Sequence, residues 1–213
     1  MSTLTLVWSY LRARPLSTAL NIILLSLGTA IITVLLLFTR QMNDKMEQQA
    51  RGIDLVVGAK GSPLQLILCN IFHIDFPTGN ISLREADRLA RSRLVKQAIP
   101  MALGDSYSGF RIVGTTRAYP ELYNSQLASG EWWNKPMEVT LGSRVASLLN
   151  LKEGDTFLSA HGLVEGGHQH EEKFFRVAGV MQLSNTPLDN LILTGVETIW
   201  EVHDVAWSSP ADS

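Results

Sequence analysis

One uncharged apolar run constrains this chain more than any other feature: Leu16 to Phe38 reads LSTALNIILLSLGTAIITVLLLF. A helix rises ~1.5 Å per residue, so about 20 such residues cross the hydrocarbon core of a bilayer. A cleaved signal peptide has an apolar stretch of only roughly 7–15 residues and a small-residue cleavage site. This run is longer, no A-x-A site follows it, and Arg40 to Ala50 reads as continuing helix. A buried soluble helix is the blander alternative, but an uncharged run of this length is rare in a soluble core. The sequence therefore predicts three parts: an amphipathic segment over residues 1–14, a spanning helix with its extension over 15–50, and a folded domain over 51–213.

The flanks of the run carry charge on both sides. Arg12 and Arg14 precede it, with no acid in the first fifteen residues; Arg40, Lys45 and Arg51 follow it, mixed with Asp44 and Glu47. The positive-inside rule counts Lys and Arg rather than net charge, so the flanks are nearly balanced. The expected orientation is a cytoplasmic N-terminus with residues from about Gln41 onward exported. Leu4, Val7, Tyr10 and Leu11 recur at helical spacing ahead of the span. They fit a helix lying in the membrane interface or an ordinary basic flank, and both readings stay open.

A net charge of −2 gives no basic footprint, so nucleic acid is not an expected partner. Cys69 is the only cysteine, so no intrachain disulfide can form. Its apolar neighbours, Leu66 to Phe72, predict a buried and inert thiol.

Along the domain, Ile53–Val57 reads as a strand and Leu64–Phe72 as a buried helix with Pro63 in its first turn. A loop over His73–Asn80 follows. Ser82-Leu-Arg-Glu85 is a capping box that opens a helix to about Arg93, with Leu83, Ala86, Leu89 and Ala90 on one face. Strands are predicted at 98–103, 110–115, 138–141, 156–160, 174–181 and 191–194, and short helices at 119–123 and 143–149. Thr194-Gly-Val-Glu197 is a second capping box, starting a helix to about His203. Strands and short helices mix without regular alternation, so the predicted fold class is α+β.

Few motifs carry chemistry. Lys60 in Gly58-Ala-Lys-Gly-Ser-Pro63 lacks the spacing of a phosphate loop and reads as a surface turn. No G-x-S-x-G, H-E-x-x-H or C-x-x-C is present, and no catalytic residue is expected. The one anomaly is His161-Gly-Leu-Val-Glu165-Gly-Gly-His168-Gln-His170-Glu171-Glu172, which holds three of the five histidines. On a strand His168 and His170 would face one side, as two imidazole ligands of one ion require. His161, His168, His170 and Glu165 are the candidate metal ligands, with weak Zn²⁺ binding as the only cofactor expectation; a solvated hairpin loop is the other reading. Trp132-Trp133 reads as one ring capping the core with the other at the surface, or as a partner surface.

The order of these features resembles the MacB-like, FtsX-like permeases of ABC transporters, the lipoprotein-release type. Arg14-Pro-Leu-Ser-Thr-Ala-Leu-Asn21 is similar to the approach to that family's first span, and Gly52–Pro63 to the opening of its periplasmic domain. Val139–Leu149, Leu151–Asp155 and Phe175–Val180 are similar to its strand–helix–turn–strand series. The resemblance implies an N-terminal span, a periplasmic core domain and three later spans, in the bacterial inner membrane. Since the sequence stops at Ser213 after one span, it reads as the N-terminal part of such a permease. The resemblance further implies a permease that hydrolyses nothing itself. Its partners would be a separate ABC ATPase, a second permease chain as homo- or heterodimer, and membrane lipid. Its cargo would be a lipoprotein, a peptide or another amphiphile. Two other classes fit the residues: a single-span anchored binding or sensor module, and an exported metalloenzyme using the His cluster.

Overall fold

The computed structural model describes residues 3–158 and 174–202. The chain divides into two compact units, Met1–Gln48 and Gln49–Ser213.

The first unit is helical. Helix α1 spans Thr3–Ala13 and α2 spans Pro15–Gln49. The break falls at Arg14, because a following proline disfavours helical backbone at the residue before it. The Thr18 hydroxyl donates to the carbonyls of Leu11 (3.1 Å) and Arg14 (3.0 Å), satisfying groups the break leaves free. Within the apolar run, Ser26, Thr29 and Thr33 hydroxyls donate to carbonyls three or four residues back, at 2.8–3.0 Å. Hydroxyls satisfied on their own helix suit an apolar surround, where no water is available to bond them. None of the residues of α2 is buried. By length and composition α2 can cross a membrane.

The second unit is built on a seven-stranded mixed sheet. Its strands are β1 (Met101–Tyr107), β2 (Phe110–Thr115), β3 (Leu127–Gly130), β4 (Glu138–Leu141), β5 (Thr156–Leu158), β6 (Phe174–Met181) and β7 (Leu191–Gly195). The order is β1-β2-β7-β4-β6-β3, and β5 also pairs with β6. Strands β1 and β2 form a hairpin closed by Ser108 and Gly109, both at positive φ (48° and 86°), the signature of a type I′ turn. Pairs β2–β7 and β4–β6 are parallel, whereas β4–β7 is antiparallel. The long β6 pairs on one side with β4; β5 meets its first residues and β3 its last.

Both faces of this sheet are covered. On β2, Ile112 joins one core cluster and Val113 the other; on β7, Ile192 faces away from Leu191 and Leu193 in the same way. Helices α6 (Ser143–Leu149) and α7 (Val196–Val202) cover the first face through Val145, Ala146 and Ile199. Tyr107, Phe157 and Phe175 stack there, with centroids 4.4 and 5.5 Å apart. Helix α5 (Ala118–Leu122), Trp133 and the 3-10 turn Pro187–Asn190 cover the second face. Fully burying one such side chain contributes about 1.5–3 kcal/mol, so the two clusters are the main source of the domain's stability. The α+β class read from the sequence is the class observed.

Several local expectations are corrected. Ile53–Val57 forms no strand: Leu55 is 75% exposed, and among the described residues no strand pairs with this segment, which leads into α3 (Pro63–Asn70). Helix α3 buries only Cys69; Leu64 and Ile67 are exposed. Helix α4 (Leu83–Ala90) has the expected cap, Ser82 Oγ accepting from the Glu85 N–H at 3.3 Å, but ends before Arg93 and buries no residue. Strand β1 starts after Pro100, which has no N–H for a ladder. Thr194 lies in β7 and does not cap α7; its hydroxyl donates to the Glu138 carbonyl at 2.7 Å and to Thr198 Oγ1 at 3.0 Å.

Candidate functional site

The structure draws together residues at the start of the second unit. Gln49 is the last residue of α2 and the first of the second unit. A helix leaves its final carbonyls without intrahelical partners. The Gln49 carbonyl accepts from the Tyr123 hydroxyl at 2.7 Å, across 74 residues of chain. Just beyond, the Ile53 N–H donates to the Ala50 carbonyl at 3.2 Å and Gly52 turns the chain at φ +80°. A Cβ at Gly52 would lie 2.8 Å from Leu122 Cδ1.

Helix α5 is seated in the core on its other side. Tyr119 is 1% exposed and meets Tyr123 edge to face, with centroids 5.7 Å apart. Its hydroxyl lies 2.7 Å from His73 Nε2. His73 is buried at φ +54°, and its Nδ1 has no hydrogen-bond partner. Burial, aided by the Arg111 guanidinium, pushes the His73 pKa down to about 4, so the imidazole is neutral at ordinary pH. Burial also raises the Tyr119 phenol well above its usual range. The Arg111 guanidinium itself lies over the Phe76 ring, 4.7 Å from the centroid.

The residues singled out in the sequence take the following places. Trp133 is buried in the second cluster, and Trp132 is half-buried beside it at 82°. The Arg117 guanidinium lies 5.3 Å from the Trp132 centroid and 5.9 Å from that of Trp133. One ring therefore belongs to the core and the other sits under a cation, as one of the two readings had it. Cys69 is 1% exposed and burial raises its thiol pKa, which suits an inert thiol. Lys60 sits on an exposed bend before α3. His161, Glu165, His168 and His170 lie outside the described residues. Among the described residues no group of three or more His, Cys, Asp or Glu side chains is placed to hold a metal ion. A shallow groove of about 530 Å³ between α6 and the β3–β6 edge is lined by Ser129, Ser147, Asn150, Lys152 and Gln182, among others.

Sequence reading missed the contacts of Tyr123 with Gln49 and of His73 with Tyr119, because both join residues far apart in the chain. It also missed Asp189. That carboxylate is 1% exposed and accepts from the N–H and hydroxyl of Ser184 (both 2.9 Å) and the N–H of Asn185 (2.7 Å). The Ser184-Asn-Thr-Pro187 turn was the available signal.

One helix long and apolar enough to cross a membrane, followed by a mixed sheet with helices, defines an α+β protein with a candidate membrane span. The sequence pattern of the MacB-like periplasmic core domain matches residues 18–208, and the chain belongs to that family. It is a MacB-like permease component of ABC-transporter type, and its long apolar N-terminal helix is consistent with an inner-membrane protein. Among solved structures it is similar to the periplasmic region of MacB from Actinobacillus actinomycetemcomitans, at 15% identity and a TM-score of 0.46, over 74% of this chain and 72% of that one. No curated protein matches the chain.

Proposed function

We propose that the chain is a permease subunit that couples ATP hydrolysis by a separate ATPase to the export or extraction of a lipoprotein, peptide or other amphiphile. The observation that carries this reading is the family match over residues 18–208, which takes in both the apolar helix and the sheet domain. The sequence has no phosphate loop, which fits an ATPase on another chain. In this reading residues 1–14 lie on the cytoplasmic side, 15–50 cross the membrane and extend beyond it, and 51–213 work in the periplasm. A second permease chain, identical or different, completes the assembly, and the domain moves as a body against its twin. The His161, Glu165, His168 and His170 segment is a subsidiary, weak divalent-ion site in this scheme. Orientation is tested by reporter fusions after Asp105 and Ser213. Both are expected to be active as alkaline phosphatase and dark as a cytoplasmic fluorescent protein; the opposite pattern would contradict the topology.

A further inference from the structure

We propose that His73 is an acid-released latch: its protonation frees the segment over residues 63–79 from α5 and β2 while the sheet stays folded. The inference lies outside the permease reading and does not depend on it. Of the described residues between 51 and 100, only Cys69, Ile71 and His73 are buried. These three alternate at the end of α3, where the chain turns off the helix. His73 takes a left-handed position in that turn, at φ +54°, and the Ile74 N–H donates back to the Leu68 carbonyl at 3.0 Å. The loop beyond is tied to α3 itself, since Gln65 Nε2 donates to the Phe76 carbonyl at 3.3 Å. Helix α3 and this loop therefore form one piece, docked by three buried side chains, and a piece held by so few contacts opens more readily than the sheet.

The groups around His73 suit a neutral imidazole and not a charged one. On α5, the Tyr119 hydroxyl lies 2.7 Å from Nε2, and the two rings meet edge to face with centroids 6.0 Å apart. Burial raises the phenols of Tyr119 and of Tyr123 beside it, so neither offers a negative charge. On β2, the Arg111 guanidinium bears on the imidazole and on the Cys69 thiol, and lies over the Phe76 ring. The loop's own carboxylate, Asp75, accepts from the Phe76 N–H at 2.8 Å, and His73 Nδ1 has no hydrogen-bond partner. A protonated imidazole carries an N–H on both nitrogens. One can point at Tyr119; the other would be buried without an acceptor, near a fixed positive charge. Water stabilises that cation far better than this site does, so each proton taken up favours the released segment.

Cys69 is the only cysteine, is 1% exposed, and reports release directly. The test is the rate at which a pyridyl disulfide labels Cys69 in the full chain in lipid nanodiscs, divided at each pH by the rate for a free peptide of residues 64–76. The ordinary histidine value is ~6.5 and that of buried His73 is about 4, so the divided rate is expected to rise roughly 25-fold from pH 7 to pH 5. Sub-denaturing urea should barely change it, because release of one segment exposes little surface. His73→Asn keeps a residue suited to left-handed backbone and is expected to flatten the rise. Tyr119→Phe keeps the histidine and removes one hydrogen bond, so labelling at pH 7 should speed up roughly fivefold. A wild-type rate that is flat in pH, or a rise that persists in His73→Asn, would overturn the inference. A pH 7 rate unmoved by Tyr119→Phe would overturn it too, because the contact would not then hold the segment. So would a rate that climbs with urea as steeply as global unfolding, since Cys69 would then be reached only when the sheet melts.

Discussion

His73 Nε2 lies 2.7 Å from the Tyr119 hydroxyl, although 46 residues separate the two in the chain. The contact joins the loop after α3 to α5 within the second unit. It also leaves a neutral imidazole in a buried place, and that has a measurable consequence.

In the unfolded chain His73 gains its proton near pH ~6.5. In the folded chain burial and Arg111 delay that step to about pH 4. Between the two values the unfolded state binds more protons, so stability falls as pH drops from ~6.5 towards 4 and this contribution levels off below. At ~1.4 kcal/mol per pH unit the loss from this residue is about 3 kcal/mol. Urea unfolding followed by tryptophan fluorescence across that window measures it. His73→Asn removes the titration and keeps a residue type that tolerates positive φ. Its stability is expected to vary less with pH than that of the wild type; equal slopes would contradict the assignment.

Asp189 holds the turn beneath α6. Its carboxylate takes three hydrogen bonds from Ser184 and Asn185 while 1% exposed. Asp189→Ala leaves those donors without their acceptor and is expected to cost about 3 kcal/mol in chemical denaturation. Asp189→Asn keeps the shape and an acceptor oxygen, and should cost less. A loss below about 1 kcal/mol for the alanine variant would show that the turn stands without its carboxylate.

Nucleotide should find no site on this chain alone, since its sequence lacks the phosphate-loop spacing. Calorimetric titration of the purified full chain with Mg-ATP is expected to give no saturable heat. Micromolar binding would overturn the proposed division of labour between permease and ATPase.

Zinc titration addresses the His161–His170 segment. Imidazole must be neutral to ligate, so any affinity is expected to fall as pH drops through ~6.5. A glycine-rich segment loses conformational freedom on binding an ion, so the affinity is expected to be no tighter than roughly micromolar. His168→Ala with His170→Ala should abolish the heat. Equal heats from wild type and double variant would leave the solvated-hairpin reading in place.

The legible parts of the fold were those with a strong local pattern. Phe174–Met181 alternates inward and outward side chains over its whole length and forms β6. Gly142 before Ser143–Leu149 marked the start of α6, and Lys152-Glu-Gly-Asp155 forms the expected turn, with the Lys152 N–H donating to Asp155 Oδ2 at 2.8 Å. Elsewhere tertiary context overrode composition. Leu127–Gly130 has few strand-favouring residues, yet becomes β3 because β6 offers it an edge. Ile53–Val57 has strand composition, yet no strand among the described residues pairs with it. Candidate-site residues were the least legible: Gln49, His73, Tyr119 and Tyr123 are ordinary helix and loop residues until the fold brings them together.

The permease reading proposes that an ATPase on a separate chain drives this one. Isolation of the full chain from mildly solubilised native membranes tests it most directly, with bound proteins identified by mass spectrometry and assayed for ATP hydrolysis. An ABC ATPase in roughly stoichiometric amount is expected. A chain recovered without any ATPase, or one that hydrolyses ATP by itself, would contradict the claim.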